Sequence, residues 1–173
     1  RDLRMSRGLG DVYKRQGQFS ANGKDEAEFY LALNPGEPVK PLENIASGGE
    51  LSRIMLAIKT VLADAEDTPT LIFDEIDAGI SGVTAAKVGE KLKLIGKSRQ
   101  VICITHLSQI AAVADSHFLI EKSAENESVK TRIRLLNEED SVKELARILG
   151  GDKITSSIME SAREMKEMAK SEI

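Results

Sequence analysis

The chain has 173 residues, a formal net charge of −4 and a sequence pI of about 5.4, so no global basic field marks it for nucleic acid. Hydrophobic residues make up 41% and charged residues 30%, a balance that excludes a disordered chain and suffices for about one domain with a real core. The single cysteine, Cys103, rules out an internal disulfide, no apolar run approaches the roughly 18 residues of a membrane span, and no signal-peptide pattern is present, so a cytoplasmic protein is expected. Two tyrosines, four phenylalanines and no tryptophan leave few rings for a base-stacking platform.

Residues 1–16, RDLRMSRGLGDVYKRQ, hold five basic and two acidic side chains and no sustained period. They read as a disordered or non-native leader and are set apart from the fold; a basic arm touching phosphate is the functional alternative. Residues 17–173 read as one lobe. Glu26–Leu33 alternates as a strand, Asn34-Pro35-Gly36 forces a turn, and Pro38 and Pro41 keep the next residues extended.

Ser47-Gly48-Gly49-Glu50 then opens a run with apolar residues at Leu51, Ile54, Met55, Ile58, Val61 and Leu62, which is helical spacing. Glycines at a helix mouth allow a phosphate to approach unpaired N–H groups at the positive end of the helix dipole. The same four residues also form a capping box, with Ser47 as N-cap and Glu50 at the third helical position. Either reading, or both, accounts for them.

Thr70–Gly82 opens with a short apolar run, Leu71-Ile72-Phe73, read as a buried strand that ends in two adjacent carboxylates, Asp74 and Glu75. Strand ends often carry acids because they meet solvent. Nucleotide hydrolases use the same pattern to hold Mg²⁺ and to orient or deprotonate a water. Asp77–Gly82 is a tight polar loop, and a helix is predicted from about Val83 to Ile95, ending at Gly96-Lys97-Ser98. Gln100–Thr105 is a second buried strand that delivers His106 to the edge where Asp74 and Glu75 lie if the two strands are parallel. Ligands bind at that edge in open α/β sheets. Gln109, three residues on, can share the surface. Cys103 sits mid-strand and reads as packing rather than as a reactive thiol.

Ser116–Glu121 and Val129–Leu136 are predicted strands of a hairpin, and Lys130, Arg132 and Arg134 give the second a basic face, by default a solvated one. Ser141-Val142-Lys143-Glu144 reads as a capping box opening a helix through Leu149, stopped by Gly150-Gly151. A last helix is predicted from about Thr155 to Lys170. The expected fold is α/β, a mostly parallel sheet flanked by helices with an antiparallel hairpin and C-terminal helices.

The ordered set SGGELSR, LIFDE, DAGISG and CITH resembles the C-terminal half of a P-loop, ATP-binding-cassette (ABC) ATPase head: signature motif, Walker B, D-loop and switch histidine. Within that superfamily, NPGEPVKPLENIASGGELSRIMLAIK, FDEIDAGISG, ITHLSQIAAVAD and ELARILGG resemble the RecN family, SMC-like proteins of bacterial DNA double-strand-break repair and recombination. The resemblance spans about residues 17–173. It implies ATP and Mg²⁺ as cofactors and a bacterial, nucleoid-associated protein. Ser47, Gly48 and Gly49, with Glu50, would meet the γ-phosphate of an ATP on the opposite subunit. Asp74 would hold Mg²⁺ through water and Glu75 would be the general base. Asp77 would couple the two sites across the dimer, His106 would sense the γ-phosphate, and Gln109 would line the same nucleotide site.

No G-x-x-x-x-G-K-[ST] occurs in the 173 residues. In the family this Walker A loop lies in an N-terminal half, beyond a coiled coil. The chain therefore reads as half of an ATPase, inactive alone and inclined to aggregate through an unpaired sheet edge. Its expected partners are the N-terminal head half with Walker A, a second head in a nucleotide-bridged dimer, and DNA through the longer protein, with no membrane. Two other readings stand beside it: a nucleotide-binding domain of an ABC transporter, and a non-enzymatic half-head that only pairs with other heads. Glu50-Leu51-Ser52-Arg53 and Ile76-Asp77-Ala78-Gly79 fit the SMC-like branch better than the transporter one.

Overall fold

The computed structural model describes residues 10–21, 23–32, 36–44, 47–62, 67–125 and 128–171. These divide into two compact units, Arg1–Ser47 and Gly48–Ile173. In the first, β1 (Gly10–Ser20) runs antiparallel to β2 (Gly23–Leu31), and β3 (Lys40–Pro41) adds to the other side of β2 before a short 3-10 turn at Leu42–Asn44. β1 therefore begins inside the stretch that composition sets apart: Gly10–Gln16 pairs in register with Asp25–Leu31. Mixed charge in that stretch hid a strand, because pairing in a ribbon needs only backbone groups. The Asn34-Pro35 part of the predicted turn lies outside the described residues. Gly36 has φ 88°, the left-handed conformation such a turn demands.

The second unit carries the motifs. Its elements are α1 (Gly48–Val61), β4 (Thr70–Phe73), α2 (Gly82–Gly96), β5 (Gln100–Cys103), α3 (Ser108–Ala112), β6 (Phe118–Glu125), β7 (Ser128–Leu135), α4 (Glu138–Gly150) and α5 (Ser156–Ser171). β4 and β5 pair in parallel, Thr70 opposite Gln100 through Phe73 opposite Cys103. Parallel character among the described residues is confined to this pair, since β6 and β7 form an antiparallel hairpin.

Alternation along β4 and β5 sends Leu71, Phe73, Val101 and Cys103 to one face, where they meet Leu56 of α1, Ala85, Val88, Leu92 and Ile95 of α2, and Ile110 of α3. The opposite face is apolar but uncovered within this unit: Ile72 is 69% exposed, and Ile102 and Ile104 are also exposed. Beside it, a groove of about 300 Å³ is lined by Leu51, Ser52, Met55, Lys59, Leu71, Ile72 and Phe73. Parallel strands normally have both faces covered.

A second cluster joins Ala111 and Ala112 of α3 to Leu145 and Ala146 of α4 and Ala162 and Ala169 of α5. The buried Lys166 ammonium donates to the carbonyls of Ala112 and Ala114 at 3.0 and 2.9 Å, closing the end of α3, and burial pushes its pKa down. Lys93 Nζ donates to the Ala169 carbonyl, tying α2 to α5. α4 starts earlier than the sequence suggests. Asn137 is its N-cap, accepting from the Asp140 amide at 2.8 Å, and Glu138, Glu139 and Asp140 fill the first turn where the dipole favours acids. Ser141 is therefore a buried helical residue whose hydroxyl bonds His117 Nδ1 at 2.8 Å. On the basic face of β7, Arg134 pairs with Asp140 at 3.0 Å and Arg132 stands opposite Glu121, which supports the solvated reading.

Candidate functional site

The C-terminal ends of β4 and β5 carry the predicted residues. Asp74 and Glu75 leave β4 at an exposed turn. Glu75 has φ 55°, a left-handed conformation that costs a non-glycine residue about 1–3 kcal/mol. Its amide donates to Asp74 Oδ1 at 2.9 Å and its carbonyl accepts from the Ala78 amide at 3.0 Å, so the turn is held from both sides. Ile76 is fully buried next to it and pins the turn to the core.

α1 begins against this turn. A Cβ placed on Gly48 lies 2.7 Å from Glu75 Oε2, and one on Gly49 lies 2.8 Å from the Glu75 carbonyl and from Ala78 Cβ. Both glycines thus have a reason within their own chain: they let the helix mouth and the acidic turn touch. Ser52 Oγ donates to the Asp74 carbonyl at 2.9 Å, and Arg53 Nη1 donates to the carbonyls of Ile76 and Ala78 at 3.1 and 2.9 Å. Glu50 lies in the first turn of α1, and Ser47 directly precedes the helix. The motif pattern alone assigns Ser52 and Arg53 no role. Their signal was present as polar side chains one helical turn beyond the glycines, on the side that faces the acids.

Gly49→Ala is expected to destabilise the chain. Alanine normally stabilises a helix by about 1 kcal/mol over glycine, but here the methyl meets backbone and overpacking costs about 1–3 kcal/mol. A thermal melt of the variant should show a lower midpoint; a higher one would contradict the close approach.

Asp77 is 4% exposed and faces inward, onto the loop after β5. Its Oδ2 accepts from Thr105 Oγ1 at 2.6 Å and from the His106 amide at 2.8 Å, and His106 Nδ1 lies 3.0 Å away. Burial alone would push this carboxyl up; the Thr105 hydroxyl, the His106 amide and the His106 ring outweigh it and hold it below the usual carboxylate range. The stability this contributes is fully present above about pH 4 and is lost as pH falls through the lower folded value.

The His106 side chain is 74% exposed at the sheet edge. Gln109, in α3, packs with its Nε2 3.0 Å from where a Cβ on Gly82 would lie, at the start of α2, and its Oε1 accepts from Ser108 Oγ at 3.4 Å. At Cys103, burial first, then the charges of Asp77 and Asp74, push the thiol up to about 12, which disfavours the thiolate.

The arrangement offers an exposed carboxylate pair, a glycine-lined helix mouth against it and an exposed imidazole on the neighbouring strand end. Among the described residues no cluster of three acidic, histidine or cysteine side chains forms a ready metal cage. Among them, too, no helix is long and apolar enough to cross a membrane.

No family model matches the chain. Curated relatives do. It is 47% identical over 153 residues to the DNA repair protein RecN of Halalkalibacterium halodurans, covering 88% of this chain and 27% of the relative. Against RecN of Vibrio cholerae it is 43% identical over 155 residues, covering 90% and 28%. The chain thus spans about a quarter of the length of the curated relatives it matches. Among solved structures, the Smc head domain with coiled coil and joint from Pyrococcus yayanosii aligns with a TM-score of 0.58 and 25% identity over 80% of this chain and 26% of that one. A structure from work on ATP-driven dimerization and DNA-stimulated activation of SMC ATPases aligns at 0.51 and 24%, over 84% and 85%. Over the region matched, the chain belongs to the RecN family, as its C-terminal head portion.

Proposed function

We propose that this chain is the C-terminal lobe of an SMC-like ATPase head acting in bacterial DNA double-strand-break repair and recombination, and that a second lobe completes its nucleotide site. The observation that carries this is the close packing of the helix mouth on the acidic turn, Gly48 against the Glu75 carboxylate, Gly49 against the Glu75 and Ala78 backbone and Ser52 on the Asp74 carbonyl. Glu75 is the general base toward the attacking water. Asp74 is the Mg²⁺ ligand, and its donor type fits: magnesium keeps most of its waters and needs only one or two carboxylates beside the phosphates, so the lack of a three-residue cage among the described residues is no obstacle. Bound there, the ion would neutralise charge on the phosphates.

Ser47, Gly48, Gly49 and Glu50 form the anion-facing mouth of α1, His106 offers its ring to the γ-phosphate, and Gln109 belongs to the same edge. Asp77 couples the two sites across the dimer, and within its own lobe its carboxylate holds the His106 loop. The apolar face of Ile72, Ile102 and Ile104 is where the lobe with Walker A docks, and a second head then bridges the nucleotide, as ATP drives dimerization of the SMC ATPases this fold resembles. DNA is met through the longer protein, in the bacterial cytoplasm at the nucleoid.

Equilibrium binding of Mg²⁺–ATP tests this. The chain alone should bind weakly and hydrolyse nothing, and adding a separately made Walker A lobe of the same family should both restore tight binding and suppress aggregation of the chain. Glu75-dependent turnover by the chain alone would contradict the reading.

A further inference from the structure

Asp77 is 4% exposed, and the Thr105 hydroxyl, the His106 amide and the His106 ring converge on one of its oxygens. Thr105 Oγ1 lies at 2.6 Å, the His106 amide at 2.8 Å and His106 Nδ1 at 3.0 Å from Oδ2. Thr105 Oγ1 in turn accepts from the Leu107 amide at 3.1 Å, so its own proton is committed to Asp77. An ionised carboxylate has no proton to give and can only accept. The ring nitrogen facing it must therefore carry the hydrogen.

We infer that Asp77 is a positioning residue that locks the His106 ring with Nδ1–H turned inward and Nε2 turned out to the nucleotide. This rests on the reading of His106 as the nitrogen offered to a bound phosphate. It deepens that reading, because it fixes what the offered nitrogen does. While the ring is neutral, Nε2 is a lone-pair acceptor and takes a proton or accepts a hydrogen bond. It donates to a phosphate oxygen only after the ring gains a second proton, whose charge the buried Asp77 carboxylate then faces at 3.0 Å. His106 is thus a nitrogen whose role changes with one proton, and Asp77 makes Nδ1 unavailable as the alternative. The Thr105 hydroxyl shares the carboxylate but not the ring, so it orders the loop without choosing the tautomer.

The chain has two histidines, so ¹⁵N-histidine labelling of the full chain gives two ring spectra. A His117→Gln variant assigns them. At a pH where the ring is neutral and without nucleotide, the His106 spectrum should show the proton on Nδ1; a proton on Nε2, the form free histidine prefers, overturns the inference. Asp77→Ala should move the proton to Nε2, and retention on Nδ1 in a folded Asp77→Ala overturns it too. Should Asp77→Ala fail to fold, Thr105→Val decides alongside the parent chain. It keeps the carboxylate and should keep the proton on Nδ1, and a shift to Nε2 would mean that loop order, not Asp77, sets the ring. Because the readout needs no ATP, its failure and a failure of the ATPase reading are separate results.

Discussion

Replacing Glu75 with glutamine is expected to lower ATP turnover of the completed head by about 10²–10⁴-fold, the range over which a positioned general base contributes. Glutamine keeps the length, the shape and an oxygen acceptor, and it tolerates the left-handed φ of 55° no worse than glutamate. What it loses is the ability to take a proton from water. The packing beside Gly48 is preserved, because glutamine has the same shape as the glutamate side chain that lies there. Nucleotide affinity and association of the lobes should therefore stay close to the parent values. Turnover within a few-fold of the parent would remove Glu75 from the role of base, while a loss of binding would show that the carboxylate holds the turn rather than the proton.

Ile76→Ala is expected to cost about 2–5 kcal/mol, the range for truncating a buried isoleucine, or roughly 5–20 °C in thermal midpoint for a chain of this size. Ile76 is 0% exposed, packed in the cluster of Leu56, Phe73, Val88 and Ile110, and it lies between Glu75 and Asp77. Its side chain is the anchor that lets two neighbouring acids point in opposite senses, one out to solvent and one under His106. Loss of that anchor should loosen both. Ile72→Ala, four residues earlier and 69% exposed, removes the same atoms from a face with no cover in this unit. It should change the midpoint of the isolated chain by far less. Equal effects of the two substitutions would mean that the β4–β5 sheet is covered on both faces in solution.

The sequence made most of the second unit legible, because its elements are set by short-range signals. Strand alternation and helical spacing located β4, α1, α2 and β5 to within a few residues, and the acids and His106 stand on the common edge that parallel pairing requires. Local patterns failed where two of them competed. Ser141 and Glu144 form a capping box on paper, but Asn137 and three acids lie one turn earlier and start α4 there. The strand β1 was hidden by its charges.

Asp77 illustrates a different limit. Its position in the motif is plain, but its contacts within the chain depend on a loop 28 residues away, where Thr105 Oγ1 and the His106 amide donate to it only after folding. The same holds for Gly48 and Gly49. A phosphate site and a helix packed tightly on a turn both need glycine, and the approach to Glu75 and Ala78 adds the second reason to the first.

On the proposed reading, this chain holds the carboxylates of a nucleotide site whose phosphate loop lies on another lobe. ATP turnover of the chain, of a Walker A lobe from the same family, and of their mixture tests it most directly. No turnover is expected from either alone, and turnover from the mixture should disappear with Glu75→Gln. A mixture of folded, associated lobes that stays inactive, or one that Glu75→Gln leaves unaffected, would contradict it.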